Sequence, residues 1–126
     1  MINITLGDKH FKVDEAVSYK DRRNGLQDVT ELAPDEGMIF YFEEPDLVEM
    51  WMKDTLIPLD IIFINSDQEV IAVEQGKPND PTLLGHEDTL YVVEVNQNSG
   101  VKVGDELEFD DDKAPTMKVL APDGST

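Results

Sequence analysis

The side chains best suited to chemistry lie in one stretch of the chain, Met50 to Asp60. Over residues 48–53, the apolar side chains of Val48, Met50 and Met52 alternate with those of Glu49, Trp51 and Lys53. This is the two-residue period of a half-buried strand. Trp51 and Lys53 are therefore predicted to leave the same face of that strand. A Trp ring beside a Lys ammonium can form a cation–π platform or one wall of a pocket. The alternative is that Trp51 is an ordinary core residue.

Three carboxylates lie within or beside apolar strands, namely Asp54, Asp60 and Glu94. Burial raises the pKa of a carboxyl group unless backbone N–H groups or a cation satisfy it. If Glu94 faces Asp54 or Asp60 across the sheet, the pair would suit general acid and base catalysis. In the structural alternatives, Asp54 forms a side-chain-to-backbone turn and Asp60 accepts backbone N–H bonds. Glu94 then lies at a sheet edge or pairs with Lys53.

These side chains form a candidate pocket. No residue is assigned a catalytic role. The pocket residues are Trp51, Lys53, Asp54, Asp60 and Glu94. Their clustering around a concave site with perturbed pKa values would favour a ligand-binding protein or an enzyme. Their burial in ordinary ion pairs would favour a structural or interaction module.

The composition excludes several kinds of site. The chain has no cysteine, so a thiol nucleophile and a thiolate metal site are excluded. His10 and His86 lack the spacing of a metal pair, and neither a cofactor nor a bound metal is expected. The acidic run 105–112 has oxygen ligands for calcium but lacks the spacing of a calcium loop, and a charged strand edge explains it as well.

The charge of the chain bears on its partners and its location. Its 126 residues carry 28 acidic and 10 basic side chains, and the resulting net charge of −18 disfavours nucleic acid as a partner. The sequence shows neither a signal peptide nor an apolar stretch of membrane-spanning length. We therefore expect a soluble protein, located in the cytoplasm or in a virion, without a membrane partner.

The pattern along the chain predicts many short strands and one short helix. Residues 2–13 are typical of a hairpin, and Asp14 is predicted to cap a helix that ends near Asn24-Gly25. Further strands are predicted at 37–43, 48–52, 59–64, 69–74, 89–95, 106–109 and 117–120, with a loop over 76–88. This pattern predicts an all-β fold, a compact β-barrel or β-sandwich in a single domain.

Several motifs resemble those of the domain of unknown function 192 family. In order they are Gly25-Leu26, Gly37-Met-Ile-Phe40, Trp51-Met-Lys-Asp-Thr-Leu-Ile-Pro-Leu-Asp-Ile-Ile-Phe63, Tyr91-Val-Val-Glu94 and Gly104-Asp105. The resemblance covers about residues 14–110 and implies a β-rich single domain with no established activity. The family's first motif carries Met and Arg where this chain has Gln27 and Val29, so the chain lacks a basic side chain that could bind an anion there. Asp54 stands where the family usually has Asn.

The sequence-based expectation for function is a non-enzymatic structural or interaction module. Because members of the family also occur in phage genomes, an accessory capsid or decoration component of a phage particle is one version of it. The alternative is a small ligand-binding protein or enzyme that uses the Trp, Lys and carboxylate pocket. In the single domain 1–126, the hairpin 1–13 and the C-terminal strand and tail 113–126 are expected to be additions around the family-like core.

We predict that protein partners are contacted through these two additions, because terminal strands can leave a sheet edge free. The expected contact residues are Lys9, Lys12, Lys113 and Lys118, whose charge reduces repulsion from an acidic neighbour. Deleting residues 114–126 should leave a folded monomer that no longer joins its assembly, which size-exclusion chromatography measures. Normal assembly of the truncated chain would contradict this prediction.

Overall fold

The computed structural model describes residues 1–110 of the chain. It contains seven strands and one helix. In chain order they are β1 (Ile2–Leu6), β2 (Lys9–Ala16), α1 (Tyr19–Asn24), β3 (Glu36–Met50), β4 (Leu59–Ile64), β5 (Val70–Gly76), β6 (Leu84–Asn96) and β7 (Leu107–Phe109). The predicted β-rich fold with one short helix is therefore confirmed.

The seven strands form one curled sheet, a half-barrel, in the order β5-β4-β6-β3-β2-β1-β7. All pairs are antiparallel except β2 with β3, which the helix-containing segment connects in parallel. The outermost strands approach each other at one end, where Glu69 and Glu106 form an isolated bridge. There the Leu107 N–H donates to the Gln68 carbonyl at 2.7 Å. Curling thus brings the two edges of the sheet together at this end.

The central strands are buried on both faces over residues 59–64 of β4, 39–41 of β3 and 89–95 of β6. All six residues of β4 are buried, as its apolar sequence predicts. On β3, Ile39 and Tyr41 belong to the apolar cluster on the face enclosed by the curl, which also contains residues of β1 and β7. Phe40 points to the other face, here called the outer face, and packs with Val92 of β6. Because the outer face is apolar, it must be shielded from water. The segments after β2 and after β3 pack on it and cover it.

The helix begins later than the sequence pattern predicts. Asp14 is an exposed residue of β2, and the helix cap is Ser18, whose hydroxyl accepts from the Asp21 N–H at 3.0 Å. Strand β2 continues through Ala16, which is fully buried and pairs with Phe40 of β3, so the strand takes priority over an earlier helix start. The predicted end at Asn24 and Gly25 is confirmed.

Two strands are longer than predicted. The strands predicted separately at 37–43 and 48–52 are one strand, β3, which ends at Met50. Its pairing with β6 is interrupted between Tyr41 and Asp46, and Pro45 lies within that interruption. A proline is tolerated at such an irregularity, where no ladder hydrogen bond is required of it. Strand β6 starts at Leu84, inside the predicted loop, and pairs there with the far end of β3.

The edges of the sheet show whether the predicted N-terminal addition has a free strand edge. Strand β1 pairs on one side with β2 and on the other with β7, so it offers no free edge. The strand predicted at 117–120 and the tail lie outside the described residues. Within residues 1–110, no helix is long and apolar enough to cross a membrane.

Candidate functional site

A cavity of about 230 Å³ lies between the outer face of the sheet and the segment that contains α1. Its apolar lining includes Phe40 of β3 and Leu26, which follows the helix. Trp51 and Lys53, from the segment after β3, line it as well, and so does Glu94 of β6. Three of the five predicted pocket residues therefore meet at one site.

Glu94 is a buried carboxyl group in this cavity. It pairs in register with Met38 of β3 and Ile61 of β4, so it lies in the middle of the sheet, and it is 4% exposed. A Cβ added to Gly25 would lie 3.8 Å from the Glu94 Oε1 atom, which shows how closely the helix end approaches it. Within residues 1–110, no group forms a hydrogen bond or ion pair with the Glu94 carboxyl.

Burial determines the protonation state of Glu94. Removal from water disfavours the charged form, and desolvation raises the pKa of Glu94 from 4.5 to about 8. At neutral pH the group is therefore mainly an uncharged acid with one O–H donor and one carbonyl acceptor. A neutral carboxylic acid held in an apolar site can donate a hydrogen bond to a bound molecule.

Trp51 and Lys53 lie beyond the end of β3, so the prediction that strand alternation places them on one face is wrong. A turn over Lys53 and Asp54 directs them instead, and the Thr55 N–H donates to the Met52 carbonyl at 3.0 Å to close it. The Lys53 Nζ atom lies 5.4 Å from the centre of the Trp51 ring, in cation–π range. Trp51 is only partly buried, and it forms a wall of the cavity rather than part of either core cluster.

Two arginines of α1 contribute to the same cavity. The Arg22 guanidinium donates to the carbonyls of Val17 and Tyr41 and lies 5.4 Å from the centre of the Phe42 ring. It thereby fastens the helix to β3. Arg23 is exposed at the cavity, and within residues 1–110 its side chain has no hydrogen-bond or ion-pair partner.

Asp54 and Asp60 are not part of the cavity lining. Asp60 is buried, and both of its carboxylate oxygens accept hydrogen bonds. Ser99 donates to Oδ2 through its backbone N–H at 3.0 Å and its hydroxyl at 2.6 Å, and the Gln75 amide donates to Oδ1 at 2.8 Å. The predicted backbone N–H partner of Asp60 is therefore confirmed. Asp54 is exposed in the turn, with φ at 57°. Glu94 meets neither of them, so the hypothesis of a carboxylate pair is wrong.

The predicted partner-contact residues lie elsewhere. Lys9 forms an ion pair with Asp8 at 2.8 Å, and Lys12 is exposed on β2. Lys113 and Lys118 lie outside the described residues. Across the described part of the chain, no three His, Asp or Glu side chains are grouped so that they could hold a metal ion.

The sequence reasoning missed the contribution of the helix to this cavity. Arg23, Gly25 and Leu26 line it, although the sequence pattern suggested only a helix and its stop. Gly25 has a φ of 49°, a left-handed value that favours glycine. The available signal was the Gly25-Leu26 motif, whose approach to Glu94 is visible only in three dimensions.

The burial of Glu94 predicts a specific pH dependence of stability. From about pH 4.5 to about pH 8 the unfolded chain releases this proton while the folded chain retains it, so the contribution of Glu94 to the free energy of unfolding falls by about 1.4 kcal/mol per pH unit. Glu94→Gln removes that titration. The stability advantage of the wild type over Glu94→Gln should therefore shrink steadily as pH rises through this range, as urea unfolding at several pH values measures.

Glu49→Gln is the matched control, because Glu49 lines the same cavity but is exposed. It should leave the pH dependence of unfolding close to that of the wild type. A constant difference between wild type and Glu94→Gln over this pH range would show that Glu94 is ionised in the folded protein.

Comparison with known proteins identifies relatives of the same fold. A crystal structure of a protein of unknown function from Novosphingobium aromaticivorans DSM 12444 is 35% identical, with a TM-score of 0.81, over 85% of this chain and 84% of that one. A Sinorhizobium meliloti 1021 protein, provisionally described as a transcription regulator, is 34% identical, with a TM-score of 0.81, over 86% of this chain and 92% of its own. None of the curated proteins compared with the chain matches it.

The family comparison agrees with the motifs of the sequence. The model of domain of unknown function 192, described as "Uncharacterized ACR", matches residues 2–109. This match begins within the N-terminal hairpin and ends with β7, so it takes in all seven strands. The chain therefore belongs to the domain of unknown function 192 family.

Proposed function

We propose that this protein binds a small molecule in the cavity beside Glu94. The observation that carries the proposal is a carboxyl group that is 4% exposed, faces a cavity and has no partner within residues 1–110. A buried polar group left unsatisfied costs about 1–3 kcal/mol, so such groups nearly always have a partner. A ligand that exchanges a hydrogen bond with Glu94 would supply that partner.

The arrangement of the other candidates supports the same proposal. Trp51 and Lys53 line the cavity with Glu94, and the pKa of Glu94 is raised by burial. Clustering around a concave site together with a perturbed pKa is the combination typical of binding sites. Asp60, by contrast, is satisfied by Ser99 and Gln75, as a structural residue is.

The dimensions of the cavity restrict the ligand. A cavity of about 150 Å³ accommodates benzene, and this one measures about 230 Å³. The part of the ligand that lies inside the cavity is therefore about the size of a substituted benzene ring.

The expectation of a structural or interaction module, including an accessory role in a phage particle, stays a prediction. Its contact residues Lys9 and Lys12 lie on the hairpin, away from the cavity, so the two hypotheses involve different surfaces. The net charge of −18 opposes binding to the phosphates of DNA, so contact with DNA does not follow from the description of the Sinorhizobium protein as a regulator.

A fragment screen with a matched pair of variants tests the proposal. Mixtures of small anionic, neutral and cationic aromatic fragments are titrated into the full chain, and the indole N–H resonance of Trp51 is followed by NMR. Leu83 lines the cavity and is 54% exposed, whereas Leu47 does not line it and is 53% exposed. Leu83→Ala should weaken binding of a hit about fivefold through lost apolar contact, and Leu47→Ala should not change it.

Two results would contradict the proposal. If no fragment at millimolar concentration moves the Trp51 resonance, the cavity is not a binding site. Equal effects of Leu83→Ala and Leu47→Ala on every hit would place binding outside the cavity.

A further inference from the structure

The cavity is a positively charged region of a strongly acidic protein. Its lining contains three basic side chains, Arg22, Arg23 and Lys53, and one exposed acid, Glu49, in a chain that carries 28 acidic and 10 basic residues. Glu94, the other acid of the lining, is mainly neutral at neutral pH because of its burial. The local charge therefore favours an anion where the protein as a whole repels one.

Two of these cations are free to contact a ligand. The Arg22 guanidinium is already engaged by two backbone carbonyls and the Phe42 ring. Arg23 and Lys53 are exposed, and neither side chain has an ion-pair partner among residues 1–110. The Lys53 ammonium does lie over Trp51, but a cation–π contact leaves its N–H donors available.

The two ends of the cavity therefore differ in character. Glu94 is buried, and an ionised ligand group placed there would lose its hydration, which is costly in an apolar site. Arg23 and Lys53 are exposed, so an anionic group beside them keeps contact with water. The same lining includes the apolar side chains of Phe40 and Leu26 and the ring of Trp51. These surfaces suit an aromatic or branched apolar body.

We infer that the ligand is a small carboxylate with an apolar body. Its carboxylate lies at the exposed end beside Arg23 and Lys53, and its other end accepts a hydrogen bond from Glu94. This inference rests on the proposed function, because it names the ligand class of the same cavity.

Three related compounds separate the two polar contacts. 4-Acetylbenzoate carries both the carboxylate and a carbonyl acceptor at the opposite end of the ring. Benzoate lacks the acceptor, and acetophenone lacks the carboxylate. Trp51 is the only tryptophan of the chain, so its indole N–H resonance reports binding at the cavity directly. We expect 4-acetylbenzoate to bind about tenfold more tightly than either benzoate or acetophenone. Benzoate lacks the neutral hydrogen bond from Glu94, and acetophenone lacks the charge-assisted hydrogen bond to the basic side chains.

Variants assign each contact to a side chain. Lys53→Gln should weaken 4-acetylbenzoate and benzoate about tenfold and leave acetophenone unchanged. Lys12→Gln removes an exposed lysine that does not line the cavity, and it should change none of the three affinities. Glu94→Leu should remove the preference for 4-acetylbenzoate over benzoate. Glu94→Gln keeps an N–H donor and should restore that preference, so the contact remains testable if the leucine variant does not fold.

The results distinguish this inference from the proposed function. If benzylamine or acetophenone binds at Trp51 as tightly as 4-acetylbenzoate, the ligand class is wrong while the cavity remains a binding site. Equal affinities of 4-acetylbenzoate and benzoate would refute the contact with Glu94. If these compounds and the wider fragment screen all leave the Trp51 resonance unmoved, the inference and the proposed function both fail.

Discussion

The pairing of β3 with β6, whose central residues are buried on both faces of the sheet, is the constraint on which the rest of the structure depends. At Gly37 the two backbones are so close that an added Cβ would collide with the Glu94 carbonyl oxygen. Gly37 pairs in register with Val95, and Met38 pairs with Glu94. This register fixes the position of Glu94 in the sheet, and the direction of its side chain follows from strand alternation.

Burial of the second face accounts for the cavity. The enclosed face is covered by the curl of the sheet itself, but the outer face requires a separate cover. The segment with α1 supplies it, and Arg22 fastens that helix to β3 through the Tyr41 carbonyl at 3.1 Å. The cover does not fill the space above Glu94, because Gly25 has no side chain there. A carboxyl group is thus removed from water and left facing an open volume, which is the arrangement that a ligand would complete.

The sequence pattern predicts those parts of the fold that depend on local periodicity. The alternation around Gly7-Asp8 predicts the hairpin, and the apolar run 59–64 predicts an interior strand. Where tertiary packing decides, the prediction fails: β3 continues past Pro45 only because β6 extends to pair with its far end. The start of α1 is misplaced because Asp14 and Ser18 are both good helix caps, and burial of Ala16 selects the later one.

The same distinction applies to the candidate site. Trp51, Lys53 and Glu94 can be selected from residue type and position, and the structure places them together. Their separation from Asp60 was not predictable, because its partner Ser99 is 39 residues away in the chain. Arg23 was also missed, since neighbouring bases on a short helix ordinarily face solvent. Residue type identifies groups able to do chemistry, but long-range contacts decide which of them remain without a partner.

The protonation state of Glu94 in the folded protein can be measured directly. Carbon-13 NMR of the side-chain carboxyl carbons, assigned by comparison with Glu94→Gln, follows its titration in the folded protein. We expect a resonance that titrates with a pKa of about 8. Titration of the Glu94 carboxyl near its ordinary pKa of 4.5 would contradict this expectation, because the group would then be ionised and in contact with water or a cation.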